Sequence, residues 1–180
     1  VLDDTHPDAV LAVVRSGDLA TTLFLASSKS GSTAEVSALL AYFWRALEND
    51  GRRAGVNFAA VTDDGSALAQ LACDRKFDQC FLNPVDIGGR YSALSAFGMV
   101  PAALLGVDLE RLLASADAAL NSSDPQSSSA DHSALALGQM MSRAALAGRD
   151  KLTVLLSSRL APFASWIEQL VAESTGKSGM

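Results

Sequence analysis

The sequence predicts an α/β fold: a doubly wound, three-layer sandwich in which a mostly parallel sheet is flanked by helices. Short continuous apolar runs alternate with longer segments of helical apolar spacing, the pattern of strands buried on both faces and joined by crossover helices. The first two runs stop at Ser/Gly and Asp/Gly clusters, as strands that turn back do. With 49% of 180 residues hydrophobic, the chain can bury such a sheet and is not of disordered composition.

The elements follow in order. A helix is expected from about Asp8 to Arg15. The run Thr22–Ala26 predicts a first strand, and Val36, Leu39, Leu40, Phe43, Trp44 and Leu47 fall on one stripe of a helix ending near Asn49-Asp50-Gly51. Val56–Val61 predicts a second strand closed by Thr62-Asp63-Asp64-Gly65, residues 66–75 a helix with Cys73 facing the core, and Gln79–Asn83 a third strand ended by Pro84. Helical spacing recurs over 92–105, 108–120 and 132–147, separated by a serine-rich stretch expected as a surface loop over 121–131. Leu152–Leu156 predicts a fourth strand, and a last helix runs from Pro162, a good first-turn residue, to about Glu173. The chain reads as one domain over 1–180. It lacks an initiator methionine, opens on a helix where an alternating fold begins with a strand, and stops soon after its last helix, so both ends are expected to be cut.

Composition narrows the function. A net charge of −6 without a basic cluster excludes a protein that coats nucleic-acid phosphates. No apolar run approaches the roughly 18 residues that span a bilayer, so no membrane role is expected. The acidic start Val1-Leu2-Asp3-Asp4 lacks the basic region of a signal peptide. Two cysteines, Cys73 and Cys80, form neither a disulfide framework nor a zinc site, which fits a reducing cytoplasm. His6 and His132 have no partners at metal-ligand spacing, so neither metal nor cofactor is expected.

Three constellations carry chemistry. Ser27-Ser28-Lys29-Ser30-Gly31-Ser32-Thr33 lies between a strand and a helix N-terminus, where backbone N–H groups, hydroxyls and the helix dipole can bind phosphate. Ser32 and Glu35 also have the spacing of a capping box, which accounts for those two residues but not for the other polar positions. Asp86-Ile87-Gly88-Gly89-Arg90-Tyr91-Ser92 places paired glycines beside an arginine able to stabilise an oxyanion; by itself it also reads as a solvent-exposed turn. Gln169 and Glu173, four residues apart, share one helix face, where the carboxylate could act as a base or sit as an ordinary surface glutamate.

Taken in order, Ser28–Glu35, Asp86–Ser92 and Glu173-Ser174-Thr175-Gly176-Lys177 resemble the glucose-6-phosphate isomerases, and within them the first sugar-isomerase (SIS) subdomain. The stretch Trp166-Ile167-Glu168-Gln169 further resembles bacterial proteins in which a transaldolase is fused to such an isomerase. The resemblance implies an SIS-type fold, here a partial one, and interconversion of glucose 6-phosphate and fructose 6-phosphate through a cis-enediolate, as in glycolysis and gluconeogenesis. It implies Glu173 as base and Arg90 as stabiliser of the enediolate. Ser28, Lys29 (through its backbone), Ser30 and Thr33 match phosphate anchors, and Gly89 and Gln169 match substrate contacts. Val36 stands where many relatives have a phosphate-binding threonine, so one contact should be absent. It also implies a sugar phosphate as the partner, a homodimer or larger homo-oligomer, and little or no activity in this stretch alone, because the ring-opening histidine matches neither His6 nor His132. The competing expectation is a non-catalytic SIS module that binds or senses a sugar phosphate; such modules keep the serine-rich loop without needing Arg90 and Glu173.

Overall fold

Three of the apolar runs form one parallel sheet in a computed structural model, which describes residues 1–124 and 132–176. The strands β1 (Phe24–Ser27), β2 (Phe58–Asp63) and β3 (Gln79–Asn83) lie in that order, with β2 central. Phe24 is in register with Phe58, and Asp63 with Asn83. The chain divides into two compact units, Val1–Gly106 and Val107–Met180.

In the first unit, α1 (Pro7–Ser16) starts on a proline, and the His6 ring accepts a hydrogen bond from the Asp8 N–H at 3.2 Å. The crossovers are α2 (Ala34–Asn49), between β1 and β2, and α3 (Ala67–Asp74), between β2 and β3. Ser66 caps α3, its hydroxyl accepting from Ala69 N–H at 3.0 Å. Both edges of β2 are paired and Phe58–Thr62 are buried, which is why its first four residues, Phe58–Val61, are a continuous apolar run. Phe58 and Ala60 face a cluster of Val10, Leu40, Phe43, Leu47, Leu68 and Ala72 from α1, α2 and α3. Ala59 and Val61 point to the opposite face, and α4 (Ala96–Leu104) packs against β2 and β3. The ring of Phe58 meets Phe24, Trp44 and Phe77 at centroid separations of 5.1, 5.4 and 5.3 Å. A three-layer α/β sandwich is therefore present, as the alternating pattern predicts.

The second unit contains α5 (Leu109–Ser123), α6 (Ser133–Leu146) and α7 (Phe163–Thr175). Residues 121–123, expected in the serine-rich loop, form the last turn of α5, and 125–131 lie outside the described residues.

Three expectations are corrected. Leu152–Leu156 is not a strand: it is irregular and exposed except for the half-buried Leu156. A strand exists only through a ladder with a neighbour, and among the described residues every strand belongs to the first unit. The helix expected over 92–105 begins instead as a 3-10 segment, Gly89–Leu94, and restarts at Ser95, whose hydroxyl accepts from Phe97 N–H at 3.4 Å. Cys73 is exposed rather than core-facing.

Replacing Phe58 with Ala should destabilise the first unit by about 3–5 kcal/mol, whereas Phe81→Ala on the exposed part of β3 should cost less than about 1.5 kcal/mol. Urea unfolding followed by Trp44 fluorescence, in a Trp166→Phe background, measures both.

Candidate functional site

The loop that follows β1 is fixed from beneath by the end of β2. Ser28 N–H donates to the Val61 carbonyl at 3.1 Å, and Asp63 N–H donates to the Lys29 carbonyl at 3.2 Å. The wholly buried Thr62 hydroxyl donates to the Ser28 carbonyl at 2.6 Å. The buried Ser28 side chain then organises the loop from within. Its hydroxyl shares a 2.9 Å hydrogen bond with that of Thr33 and accepts from Gly31 N–H at 3.1 Å. Ser30 and Ser32 hydroxyls pair at 2.7 Å on the exposed side.

Gly31 makes the turn at φ +70°, and a Cβ there would lie 2.2 Å from the backbone nitrogen of Leu68. Only glycine fits that approach. The turn moves the helix start to Thr33, and the Ser32–Glu35 capping box does not form. Ser32 N–H donates to the Ser30 hydroxyl at 3.2 Å, and no side chain caps the first turn of α2. The N–H groups that open this sixteen-residue helix thus keep their capacity for an anion, next to the hydroxyls of Ser28, Ser30 and Thr33.

Gly89 and Arg90 come from the other side of the sheet end. Gly88 precedes the 3-10 segment, Tyr91 N–H donates to the Gly88 carbonyl at 2.9 Å, and the Ser92 hydroxyl donates to the Gly89 carbonyl at 2.6 Å. The Arg90 guanidinium lies 4.9 Å from the centre of the Tyr91 ring, which leans its charge on an aromatic face. A Cβ on Gly89 would stand 3.9 Å from Lys29 Cδ, so the Lys29 stem reaches the glycine turn. Ser28, Lys29, Ser30, Thr33, Gly89 and Arg90 all belong to the carboxyl-end loops of one parallel sheet, where ligands of such sheets bind.

Gln169 and Glu173 are placed by α7 in the second unit. The Gln169 amide donates to Glu173 Oε1 at 3.0 Å, and both side chains lie on one exposed helix face. Neither cysteine enters the site. Burial, and after it the proximity of Cys73, pushes the Cys80 thiol above its ordinary range, away from thiolate chemistry. Among the described residues no group of three or more His, Cys, Asp and Glu could hold a metal ion.

Two residues escape the sequence reading. Thr62 and Asp63 read as the start of an Asp-Gly turn, yet Thr62 holds the loop and Asp63 Oδ2 pairs with Lys29 Nζ at 2.6 Å. The available signal was positional: they end a strand parallel to β1, so they share its ligand-facing edge.

The family model for phosphoglucose isomerase matches residues 1–179. A probable glucose-6-phosphate isomerase from Haloarcula marismortui is 36% identical over 180 residues, covering 99% of this chain and 41% of that protein. A glucose-6-phosphate isomerase from a Geobacter species is 35% identical over 178 residues, covering 97% of this chain and 34% of that protein. The crystal structure of a hypothetical protein from Thermus thermophilus superposes with a TM-score of 0.80 at 33% identity, over 98% of this chain and 42% of its own. The chain thus spans less than half the length of the relatives it matches.

Gly31→Ala should weaken binding of inorganic phosphate by about tenfold or more, since the added methyl displaces the loop from Leu68. Gly51→Ala, at φ +74° but with nothing near its Cβ, should cost about 1 kcal/mol of stability and spare phosphate binding. Calorimetric titration with phosphate, paired with thermal unfolding, distinguishes the two.

Proposed function

The chain belongs to the phosphoglucose isomerase family, and on that premise we propose that the whole protein interconverts glucose 6-phosphate and fructose 6-phosphate through a cis-enediolate. The observation that carries this reading is the open N-terminus of α2, left without a side-chain cap beside three hydroxyls at the end of a parallel sheet. That arrangement suits the dianionic end of a sugar phosphate, which it binds through dipoles and hydrogen bonds.

In this reading Ser28, Ser30, Thr33 and the Lys29 backbone anchor the phosphate far from the reacting carbons. Glu173 takes the proton from one carbon and returns it to its neighbour, with Gln169 orienting the carboxylate and contacting substrate. Arg90 faces the charge that develops on the enediolate oxygens, and Gly89 lets the backbone approach the sugar. Val36 contributes no hydroxyl at its place in the first turn of α2, so the anchor works with one contact fewer. The same reading has the protein act in the cytoplasm as a homodimer or larger homo-oligomer.

The deciding experiment is a coupled assay of fructose 6-phosphate conversion by the whole protein and its Glu173→Gln variant. The variant should lose about 10²–10⁴-fold in kcat while retaining affinity for substrate, because the base acts only in the chemical step. Arg90→Ala should cost about 10²–10³-fold in kcat. A protein that binds fructose 6-phosphate but turns none over would be a sugar-phosphate-binding module instead.

A further inference from the structure

Lys29 sits inside the phosphate loop, yet it is held at both ends by other parts of the fold. Its carbonyl accepts from Asp63 N–H, with the Thr62 hydroxyl 3.2 Å away. Its ammonium is bound at 2.6 Å by Asp63 Oδ2, and the Cδ in between reaches Gly89. The Asp63 side chain is 15% exposed and the Lys29 side chain 31%, so the pair is partly withdrawn from solvent. The other oxygen, Asp63 Oδ1, is buried without a hydrogen-bond partner among the described residues. The visible work of this carboxylate is therefore to hold Lys29.

A lysine on a phosphate loop is ordinarily a mobile positive point charge that goes to the anion. Here the charge is neutralised by a carboxylate one strand away. We propose that Asp63 is a positioning residue of the phosphate loop: it keeps the Lys29 ammonium off the bound phosphate and the Lys29 stem against Gly89. This inference rests on the reading of the 28–33 loop as the phosphate anchor. Two consequences follow. The anchor draws on backbone dipoles and hydroxyls alone, so the phosphate, which does not change during the reaction, is held with moderate affinity. Binding it more tightly would lower KM without raising kcat, since substrate and transition state gain alike. In addition, the stem of Lys29 links the anchor to the Gly89–Arg90 turn, so that loosening Asp63 is felt at the residue that stabilises the enediolate.

Inorganic phosphate is the probe, titrated calorimetrically at about 50 mM salt, where exposed charges are weakly screened. Asp63→Ala should tighten phosphate binding by about three- to tenfold, as the freed ammonium becomes an added point charge at the site. The gain should disappear when Lys29→Met is combined with it, and should shrink at about 1 M salt. Asp63→Asn, which keeps a side chain of the same shape at the end of β2, should show a gain of the same sign and guards against misfolding of the alanine variant. In the whole protein, Asp63→Ala should lower KM for fructose 6-phosphate and lower kcat, about tenfold for the latter, and Asp63→Glu should restore much of both. Unchanged or weaker phosphate affinity in both Asp63 variants overturns the inference, as does a gain that persists without Lys29. If the unsubstituted protein binds no phosphate, the anchor reading falls and this inference with it; a protein that binds phosphate indifferently to Asp63 defeats the inference alone.

Discussion

The site depends on the hydroxyl of Thr62, wholly buried at the end of the central strand. A hydroxyl has one proton to give, and here it goes to the Ser28 carbonyl at 2.6 Å, while the oxygen lies 2.6 Å from the Ser66 hydroxyl. Ser66 in turn receives the N–H of Ala69 and so starts α3. One chain of hydrogen bonds, buried at Thr62 and half-buried at Ser66, thus runs from the helix against which Gly31 turns, through the central strand, to the loop itself. Buried polar groups of this kind are costly when unpaired, so the loop has little freedom to leave its partner. Leu68, in the first turn of the same helix, then supplies the wall against which Gly31 turns.

In the proposed reading this arrangement lets an acidic chain offer an anion site. The net charge of −6 gives no general attraction for phosphate. Attraction must be local, and a helix N-terminus with fixed donors provides it over a few ångströms without any mobile cation. The one lysine on this loop, Lys29, has its ammonium bound by Asp63 Oδ2 at 2.6 Å. Arg90, on the same edge of the sheet, is carried by a 3-10 segment in which Tyr91 N–H donates to the Gly88 carbonyl and the Ser92 hydroxyl to that of Gly89. In the proposed reading anchoring and charge stabilisation fall to different elements, dipoles for the phosphate and a guanidinium for the developing oxyanion.

Much of this was legible in the chain. The stripe of Leu40, Phe43 and Leu47 and the unbroken run of β2 follow from burial, which acts on every residue of an element and so leaves a periodic trace. Single contacts leave no such trace. Ser32 and Glu35 have the spacing of a cap, yet the turn at Gly31 is decided by Leu68, distant in sequence, and the helix starts one residue later. The run Leu152–Leu156 has strand composition, but composition cannot supply the neighbour that makes a strand. Asp63 was hidden because an aspartate before Asp64-Gly65 serves a turn as readily as it holds Lys29 from across the sheet edge. Arg90, Gln169 and Glu173 are ordinary surface residues by pattern, and only the family resemblance of their surrounding motifs singled them out.

In the proposed reading the two parts of the chemistry are carried by different kinds of element. The phosphate loop is fixed by buried main-chain and hydroxyl hydrogen bonds at the end of a sheet, so its geometry is set by the fold of the first unit. Glu173 lies on α7 and accepts an exposed bond from the Gln169 amide, one turn earlier. Such a pair contributes only tenths of a kcal/mol in water. The rings of Phe163 and Trp166 stack 4.9 Å apart near the start of the helix, on its apolar side. In the proposed reading, then, the phosphate is anchored by a loop whose shape the sheet of the first unit dictates, and the proton is moved by a carboxylate that a separate element, α7, carries.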